Sequence, residues 1–390
     1  MKRIGIYGGS FDPPHAGHLR AAQYACAALA LDTILLIPCG CACHKTALTA
    51  TPAQRLEMLC LAASELPKAQ VSDLEILRGG ISYTADTVDS LRSAYPDAEF
   101  FLLLGTDMFL SFQNWHEPER ILHQATLAVL SREKTDPAAL QAQAPSMEAM
   151  DGKVCFLENP VTENSSTQLR RMLIFDCAEP FIHPAVLRYI REKGLYGTAQ
   201  SYKQLPMEEL EKVVVSLLKP NRVAHVLGCR DTAAELARVW GADETDAARA
   251  GLLHDITKAL DGPLQLTLCS QYAIILDAFS QNNPKTLHAL TGSLVAERIF
   301  GENPAVVAAI ASHTTGKANM NTLEKIIYIA DYMEPNRDFP GVEQLRRLAY
   351  TDLDGALRMG LEMTLAMLKE QGREISPGSQ EALAWLNNPK

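Results

Sequence analysis

Two histidines three residues apart, His15 and His18, stand in the run Gly8-Gly9-Ser10-Phe11-Asp12-Pro13-Pro14-His15-Ala16-Gly17-His18. A glycine-containing turn at the mouth of a helix offers backbone N–H groups to an anion. Two imidazoles in that turn can reach one phosphate group, which points to chemistry at phosphorus. A second constellation lies far downstream: His225, the pair His254-Asp255, His288, His313 and Asp331. Imidazoles and carboxylates together suit iron, manganese, zinc or a similar divalent metal. An ion held there would lower the pKa of a water and make it a nucleophile.

The elements around the first pair support this reading. Residues 4–7 are apolar and predict a short buried strand; residues 19–30 predict a helix after the loop. The loop lacks the Gly-Lys-Ser/Thr ending of a P-loop. Pro13 and Pro14 stand where the dinucleotide fingerprint would need glycines. Further strands are predicted over 33–38, 100–104, 126–130 and 154–157, with helical patterns over 52–66 and 85–94 between them. Strands alternating with helices predict a parallel α/β sheet, whose ligands gather beyond the carboxyl ends of the strands. From residue 207 onward helical periodicity dominates, which predicts an all-α second domain. The stretch Gly194-Leu195-Tyr196-Gly197 reads as a helix stop. The expected division is therefore 1–197, a connection over 198–204, and 205–390.

Composition bounds the rest. A chain of 390 residues is too long for one ordinary domain. The net charge of −10 argues against non-specific nucleic-acid binding. No run of about 18 apolar residues predicts a membrane span, and the N-terminus carries no cleavable signal pattern. The nine scattered cysteines suggest reduced thiols and a cytoplasmic location. Self-association into a homo-oligomer stays open.

The histidine run His15-Ala16-Gly17-His18, preceded by Ser10-Phe11-Asp12-Pro13, resembles the (T/S)-x-x-H-x-G-H signature of the nucleotidylyltransferase superfamily. Three more segments resemble its nicotinate-mononucleotide adenylyltransferase branch: Ser82-Tyr83-Thr84-Ala85-Asp86-Thr87, Gly105-Thr106-Asp107 followed by Phe112 and Trp115, and Ser165-Ser166-Thr167-Gln168-Leu169-Arg170. The resemblance covers about residues 1–197, with 183–196 as its closing helix. It implies a Rossmann-like domain in which His15 and His18 assist adenylyl transfer. It also implies nucleotide contacts from Gly8, Gly9, Ser10, Phe11, Thr84, Gly105, Asp107, Trp115, Ser166, Thr167 and Arg170. ATP with magnesium and nicotinate mononucleotide would be the ligands. Another phosphate acceptor is the alternative.

The family's Pro-His-Lys stretch is replaced here by Pro38-Cys39-Gly40-Cys41-Ala42-Cys43-His44-Lys45. Lys45 matches, and the resemblance implies that it meets ATP phosphates or the acceptor. The alternating Cys39, Cys41 and Cys43 are spaced tightly for tetrahedral zinc, so a looser loop is the expectation.

The downstream set resembles the H…HD…D signature of the HD phosphohydrolase superfamily. Arg222-Val223-Ala224-His225, His254-Asp255-Ile256-Thr257-Lys258 and Asp331-Tyr332-Met333-Glu334-Pro335-Asn336-Arg337 resemble its YqeK-type branch. That branch splits diadenosine tetraphosphate symmetrically into two ADP. The resemblance implies one or two ions, iron first and manganese or zinc next, on His225, His254, Asp255, His288, His313 and Asp331. It further implies Asp255 and Lys258 as catalytic groups and Arg222 and Arg337 at phosphates. A hydrolase of another nucleotide, or a metal-binding nucleotide-sensing regulatory module, are the alternatives.

Overall fold

A computed structural model of the chain describes residues 1–41, 49–131, 137–159 and 165–388. Lys45, Cys43 and His44 lie outside the described residues. The chain separates into two compact units, Met1–Gln200 and Ser201–Lys390.

The first unit is a six-stranded parallel sheet: β1 (Arg3–Gly9), β2 (Thr33–Pro38), β3 (Ala69–Val71), β4 (Glu99–Gly105), β5 (Ala125–Leu130) and β6 (Val154–Leu157), in the order β3-β2-β1-β4-β5-β6. The alternation of side chains along a strand divides the core into two layers. Leu35, Ile37, Phe100, Leu102 and Leu104 enter one layer, packed on Ala85, Val88 and Leu91 of helix α3 (Thr84–Ala94). Ile34, Leu36, Phe101 and Leu103 enter the other, packed on Ala22 and Ala25 of α1 (Ala16–Ala28) and on Leu59 and Ala63 of α2 (Pro52–Ala63). Helices on both faces explain why β2 and β4 read as unbroken apolar runs. The strand order reverses direction between β1 and β4, and in such sheets the crevice beyond the carboxyl ends at that point receives the ligand. The Gly8–His18 loop leaves β1 there, and Gly105-Thr106-Asp107 leaves β4 there.

Helix α1 begins at Ala16, three residues earlier than the sequence pattern predicts, and ends at Ala28 rather than at residue 30. The reason is His15, whose side chain caps the helix, so that His18 sits in the first helical turn instead of in the loop. The closing helix is also shorter than expected, Pro184–Glu192, followed by a turn in which Tyr196 is left-handed at φ 57°.

The second unit is helical throughout its described residues. Helices α5 (Val223–Trp240), α6 (Glu244–Leu253), α7 (Leu287–Arg298), α8 (Pro304–Ser312) and α9 (Thr322–Met333) carry the second constellation. Gly251 lets α6 approach α5 closely: a Cβ there would meet Arg230 Cα and Cys229 O at 2.9 Å. Among the described residues, no helix is long and apolar enough to cross a membrane.

Candidate phosphoryl site and metal centre

In the first unit the loop after β1 is fastened from several directions. The guanidinium of Arg55, wholly buried on α2, donates to the carbonyls of Ser10 (2.8 Å), Cys39 (2.5 Å) and Gly40 (3.2 Å). Asp12, 2 % exposed, accepts from the backbone N–H groups of Thr49 (2.8 Å) and Ala50 (3.1 Å) and from the Tyr196 hydroxyl (2.7 Å). Burial, with Asp12 alongside, pushes that phenol far above its ordinary value, so it is a proton donor at any working pH. Helix α4 (Ser166–Ile174) is capped by Ser165. From its first turns Ser166 donates to Pro13 O (3.1 Å), and Arg170 donates to Asp12 O (2.6 Å) and to Thr167 Oγ1 (3.0 Å).

This places Ser166, Thr167 and Arg170 against the histidine loop. Phe11 is 1 % exposed, and its ring packs edge-on to His18 at 5.0 Å. Its side chain supports the histidine, leaving only backbone for a nucleotide. Gly8 is exposed, and a Cβ there would meet no atom within 4 Å, so a ligand can come directly onto that strand end.

The rings of His15 and His18 lie 3.7 Å apart. His15 Nδ1 accepts the Gly17 N–H (3.2 Å), and His18 Nδ1 accepts the His15 N–H (3.2 Å). With each Nδ1 used as an acceptor, the proton of the neutral ring is on Nε2. Both imidazoles are therefore hydrogen-bond donors through Nε2, the polarity a phosphate oxygen requires.

A second wall is built from the segment before α3. Ser82 joins the loop after β2 through Gly40 N–H to Ser82 Oγ (2.9 Å) and Ser82 N–H to Cys41 O (3.0 Å). Thr84 opens α3. Tyr83 stacks on His116 with ring centroids 4.2 Å apart, and the half-buried Trp115 leans on Phe112 at 5.1 Å. Asp107 is exposed at the mouth of β4.

In the second unit the four histidines converge through one atom type. His254 Nδ1 donates to Gly251 O, His288 Nδ1 to Lys285 O and His313 Nδ1 to Ile310 O, each at 2.7 Å. A carbonyl can only accept, so these Nδ1 atoms carry the protons and the Nε2 lone pairs point inward. His225 Nδ1 faces Glu334 Oε1 at 3.1 Å, with the same result. His225 Nε2 and His254 Nε2 are 3.3 Å apart, and His288 Nε2 and His313 Nε2 are 3.2 Å apart. Lone pairs facing at that distance repel one another, and a cation between them removes the repulsion. Asp331 Oδ1 lies 3.2 Å from His225 Nε2.

Asp255 stands between the two pairs. Its Oδ2 is 3.8 Å from His225 Nε2 and 3.6 Å from His254 Nε2. Its Oδ1 is 3.4 Å from His288 Nε2 and 3.9 Å from His313 Nε2. Asp255 is 1 % exposed, and its Oδ1 accepts no hydrogen bond from any described residue. A buried carboxylate oxygen without a hydrogen bond is costly unless a cation meets it, and Lys258 Nζ at 3.7 Å stays beyond hydrogen-bond reach. The donor set thus fits a divalent metal, with room in its geometry for two positions bridged by Asp255.

The electrostatics agree. Burial holds His254 and His288 well below the ordinary imidazole value and His313 at about 4, so these rings are neutral, the form that ligates metal. Burial works to raise Asp331, but its polar and charged neighbours, with Arg337 donating to its Oδ1, hold it well below the carboxylate range. Three cations rim the centre. Arg222 pairs with Asp255; Arg337 donates to Asp331 Oδ1 (2.7 Å); Lys258 donates to His288 Nε2 (2.8 Å) and is lowered by burial to about 8.

Two comparisons of sequence match these units separately. Residues 6–172 match the cytidylyltransferase-like family model, and residues 222–336 match the HD domain model. The probable nicotinate-nucleotide adenylyltransferase of Neisseria meningitidis serogroup C is 38 % identical over 200 residues, 50 % of this chain and 99 % of that relative. The one from Albidiferax ferrireducens is 36 % identical over 200 residues, 51 % of this chain and all of its own. The chain belongs to the nicotinate-nucleotide adenylyltransferase family. Its membership rests on the first unit, and an HD domain follows in the same chain.

Among solved structures, a predicted HD superfamily hydrolase involved in NAD metabolism from Clostridium acetobutylicum is 36 % identical, covering 48 % of this chain and 99 % of its own, with a TM-score of 0.47. The Plasmodium falciparum nicotinic acid mononucleotide adenylyltransferase complexed with NaAD is 23 % identical, covering 51 % and 98 %, with a TM-score of 0.44.

Several residues of this adenylyltransferase–HD chain escape sequence reasoning. Arg55 interrupts the apolar face formed by Met58, Leu59 and Ala62, a signal that it is buried with partners. His116 follows Trp115 directly. Glu334, 1 % exposed, orients His225 and is itself held by Asn336 N–H (2.7 Å) and Nδ2 (2.8 Å). Gly228 makes room for it: a Cβ at 228 would clash with the Glu334 carboxylate. Gly228→Ala should raise intrinsic helix stability by about 0.8–1 kcal/mol. Yet it should weaken metal binding about tenfold or more by displacing that carboxylate. Chelator competition alongside thermal melting separates the two effects, and unchanged metal affinity would remove Glu334 from the orienting role.

Proposed function

We propose that the chain is a bifunctional enzyme. The first unit transfers AMP from ATP to nicotinate mononucleotide, a step of NAD biosynthesis. The second hydrolyses a phosphoanhydride with bound metal, with diadenosine tetraphosphate as substrate and two ADP as products. The observation that carries the reading is the opposite polarity of the two histidine sets: Nε2 donates in the first unit and accepts in the second.

In the first reaction an oxygen of the nicotinate mononucleotide phosphate attacks the α-phosphorus of ATP in line. The bond to the β-phosphate oxygen breaks, and pyrophosphate leaves with its electron pair. Negative charge grows on the equatorial oxygens, where the Nε2–H groups of His15 and His18 and the N-terminus of α1 can meet it. Thr167, in the first turn of α4, and Arg170, at the start of its second, are close enough to the loop to take the outer phosphates, and the resemblance gives Lys45 the same task. The wall of Thr84, Tyr83, Trp115 and His116 suits a pyridine ring. Trp115→Ala should raise KM for nicotinate mononucleotide about tenfold or more with a smaller change for ATP. Steady-state kinetics with each substrate varied checks this, and equal effects on both would point to a different acceptor.

In the second unit His225, His254, Asp255, His288, His313 and Asp331 would hold the metal. Bound there, a divalent ion supplies Lewis acidity toward a phosphoryl oxygen and a lowered pKa for an attacking water. Arg222, Lys258 and Arg337 then bring positive charge to the polyphosphate, and Asp255 can orient the water. The test is product identification by chromatography. ATP with nicotinate mononucleotide should give nicotinate adenine dinucleotide and pyrophosphate, and diadenosine tetraphosphate should give ADP alone. Cleavage of other nucleotides but not this one would overturn the substrate. Tight binding of nucleotide without cleavage would make the second unit a sensor.

A further inference from the structure

Cys229 lies four residues beyond His225 on α5, so both side chains share one face of the helix. It is 1 % exposed, and its Sγ is 3.7 Å from His225 Nε2. One ligand atom each from His225, Cys229, His254 and Asp331 lie within 4.8 Å of one another. The nitrogen and oxygen edges of that set are 3.3 Å between the two Nε2 atoms and 3.2 and 3.9 Å from them to Asp331 Oδ1. These edges suit ligands around one ion at bond lengths of about 2.0–2.3 Å. Among the described residues, the thiol's polar contact outside the cluster is a distant one, to Ala330 O at 3.7 Å. Independently of the thiol, the buried Asp255 carboxylate turns its Oδ2 toward the same position, 3.8 Å from His225 Nε2 and 3.6 Å from His254 Nε2.

We propose that Cys229 is a metal ligand, adding sulfur to His225, His254 and Asp331 at the position that Asp255 Oδ2 also faces. The inference rests on the reading of the second unit as a metal-dependent hydrolase. It deepens that reading by assigning the metal class. On binding, the thiol proton passes to solvent and the sulfur gives a lone pair to the metal. A thiolate is a soft ligand, so the position selects zinc or another late, thiophilic divalent ion over manganese and magnesium.

The test uses the full chain, stripped of metal and titrated with cobalt(II). The expected spectrum has visible ligand-field bands and a near-ultraviolet sulfur-to-cobalt charge-transfer band. That band should vanish in Cys229→Ala and persist when Cys39, Cys41 and Cys43 are replaced together by serine. Zinc-over-manganese preference in Cys229→Ala should fall about tenfold or more. Circular dichroism and thermal melting report whether the variant is folded, and adenylyl transfer reports that the first unit is intact. Should it not fold, X-ray absorption of the wild-type zinc form decides the point, with one sulfur at about 2.3 Å expected. Cobalt bound without a sulfur band, or a band unchanged in Cys229→Ala, overturns the role of Cys229 and leaves the metal-dependent hydrolase standing. No cobalt bound in the second unit overturns both.

Discussion

Asp255→Ala is expected to abolish hydrolysis by the second unit, by about three orders of magnitude or more, while adenylyl transfer by the first unit stays at the wild-type rate. The size of the effect follows from where the two oxygens point. Oδ2 faces His225 and His254, and Oδ1 faces His288 and His313, so one side chain serves both imidazole pairs. Its loss would remove a ligand from each of the two proposed positions at once. It also leaves the half-buried Arg222 without its carboxylate, and an uncompensated cation of that kind costs about 3–5 kcal/mol when fully buried and less here. Asp255→Asn keeps the shape and isolates the loss of charge. Metal content by plasma spectrometry, together with the hydrolysis rate, is the measurement. Retention of both metal and activity in the alanine variant would rule out Asp255 as the bridge.

The second large effect concerns His18. His18→Ala should lower kcat for adenylyl transfer about 10²–10³-fold, the usual cost of removing one donor to a developing oxyanion. Tautomer makes the prediction sharper. Because Nδ1 is used on the His15 N–H, the working donor is Nε2. A glutamine amide nitrogen can reach the Nε2 position, whereas that of asparagine reaches only the Nδ1 position. His18→Gln should therefore retain more activity than His18→Asn, with hydrolysis by the second unit unchanged in both. Asparagine outperforming glutamine would mean the hydrogen-bond polarity is reversed.

Much of the architecture was legible in the chain itself. Apolar runs of strand length separated by helical patterns pointed to the parallel sheet, and β1, β2, β4, β5 and β6 formed close to the expected positions. β3 escaped because Ala69-Gln70-Val71 is too short to show an alternation. The loss of strand patterning after residue 207 pointed to the helical unit. Helix ends were less readable, since the start of α1 depends on a histidine serving as its cap, a role that residue type does not advertise.

By itself the sequence determined which residue types were available and in what order: His15 and His18 in a loop after a strand, then His225, His254-Asp255, His288, His313 and Asp331 on helices. That was enough to separate a pair suited to phosphate from a set suited to metal. Only the tertiary structure decided the polarity of each imidazole. A histidine is a donor or an acceptor at Nε2 according to what its Nδ1 meets. In the first unit Nδ1 meets backbone N–H groups at a helix N-terminus. In the second it meets carbonyls three residues back, at helix ends and turns, or the buried Glu334. The same holds for Arg55 and Glu334, and for the role proposed for Cys229, which arise from partners distant in the chain or on another helix. The physical reason is that chemical identity is local to a residue, while protonation state, orientation and ligand partnership belong to the groups that folding brings to it.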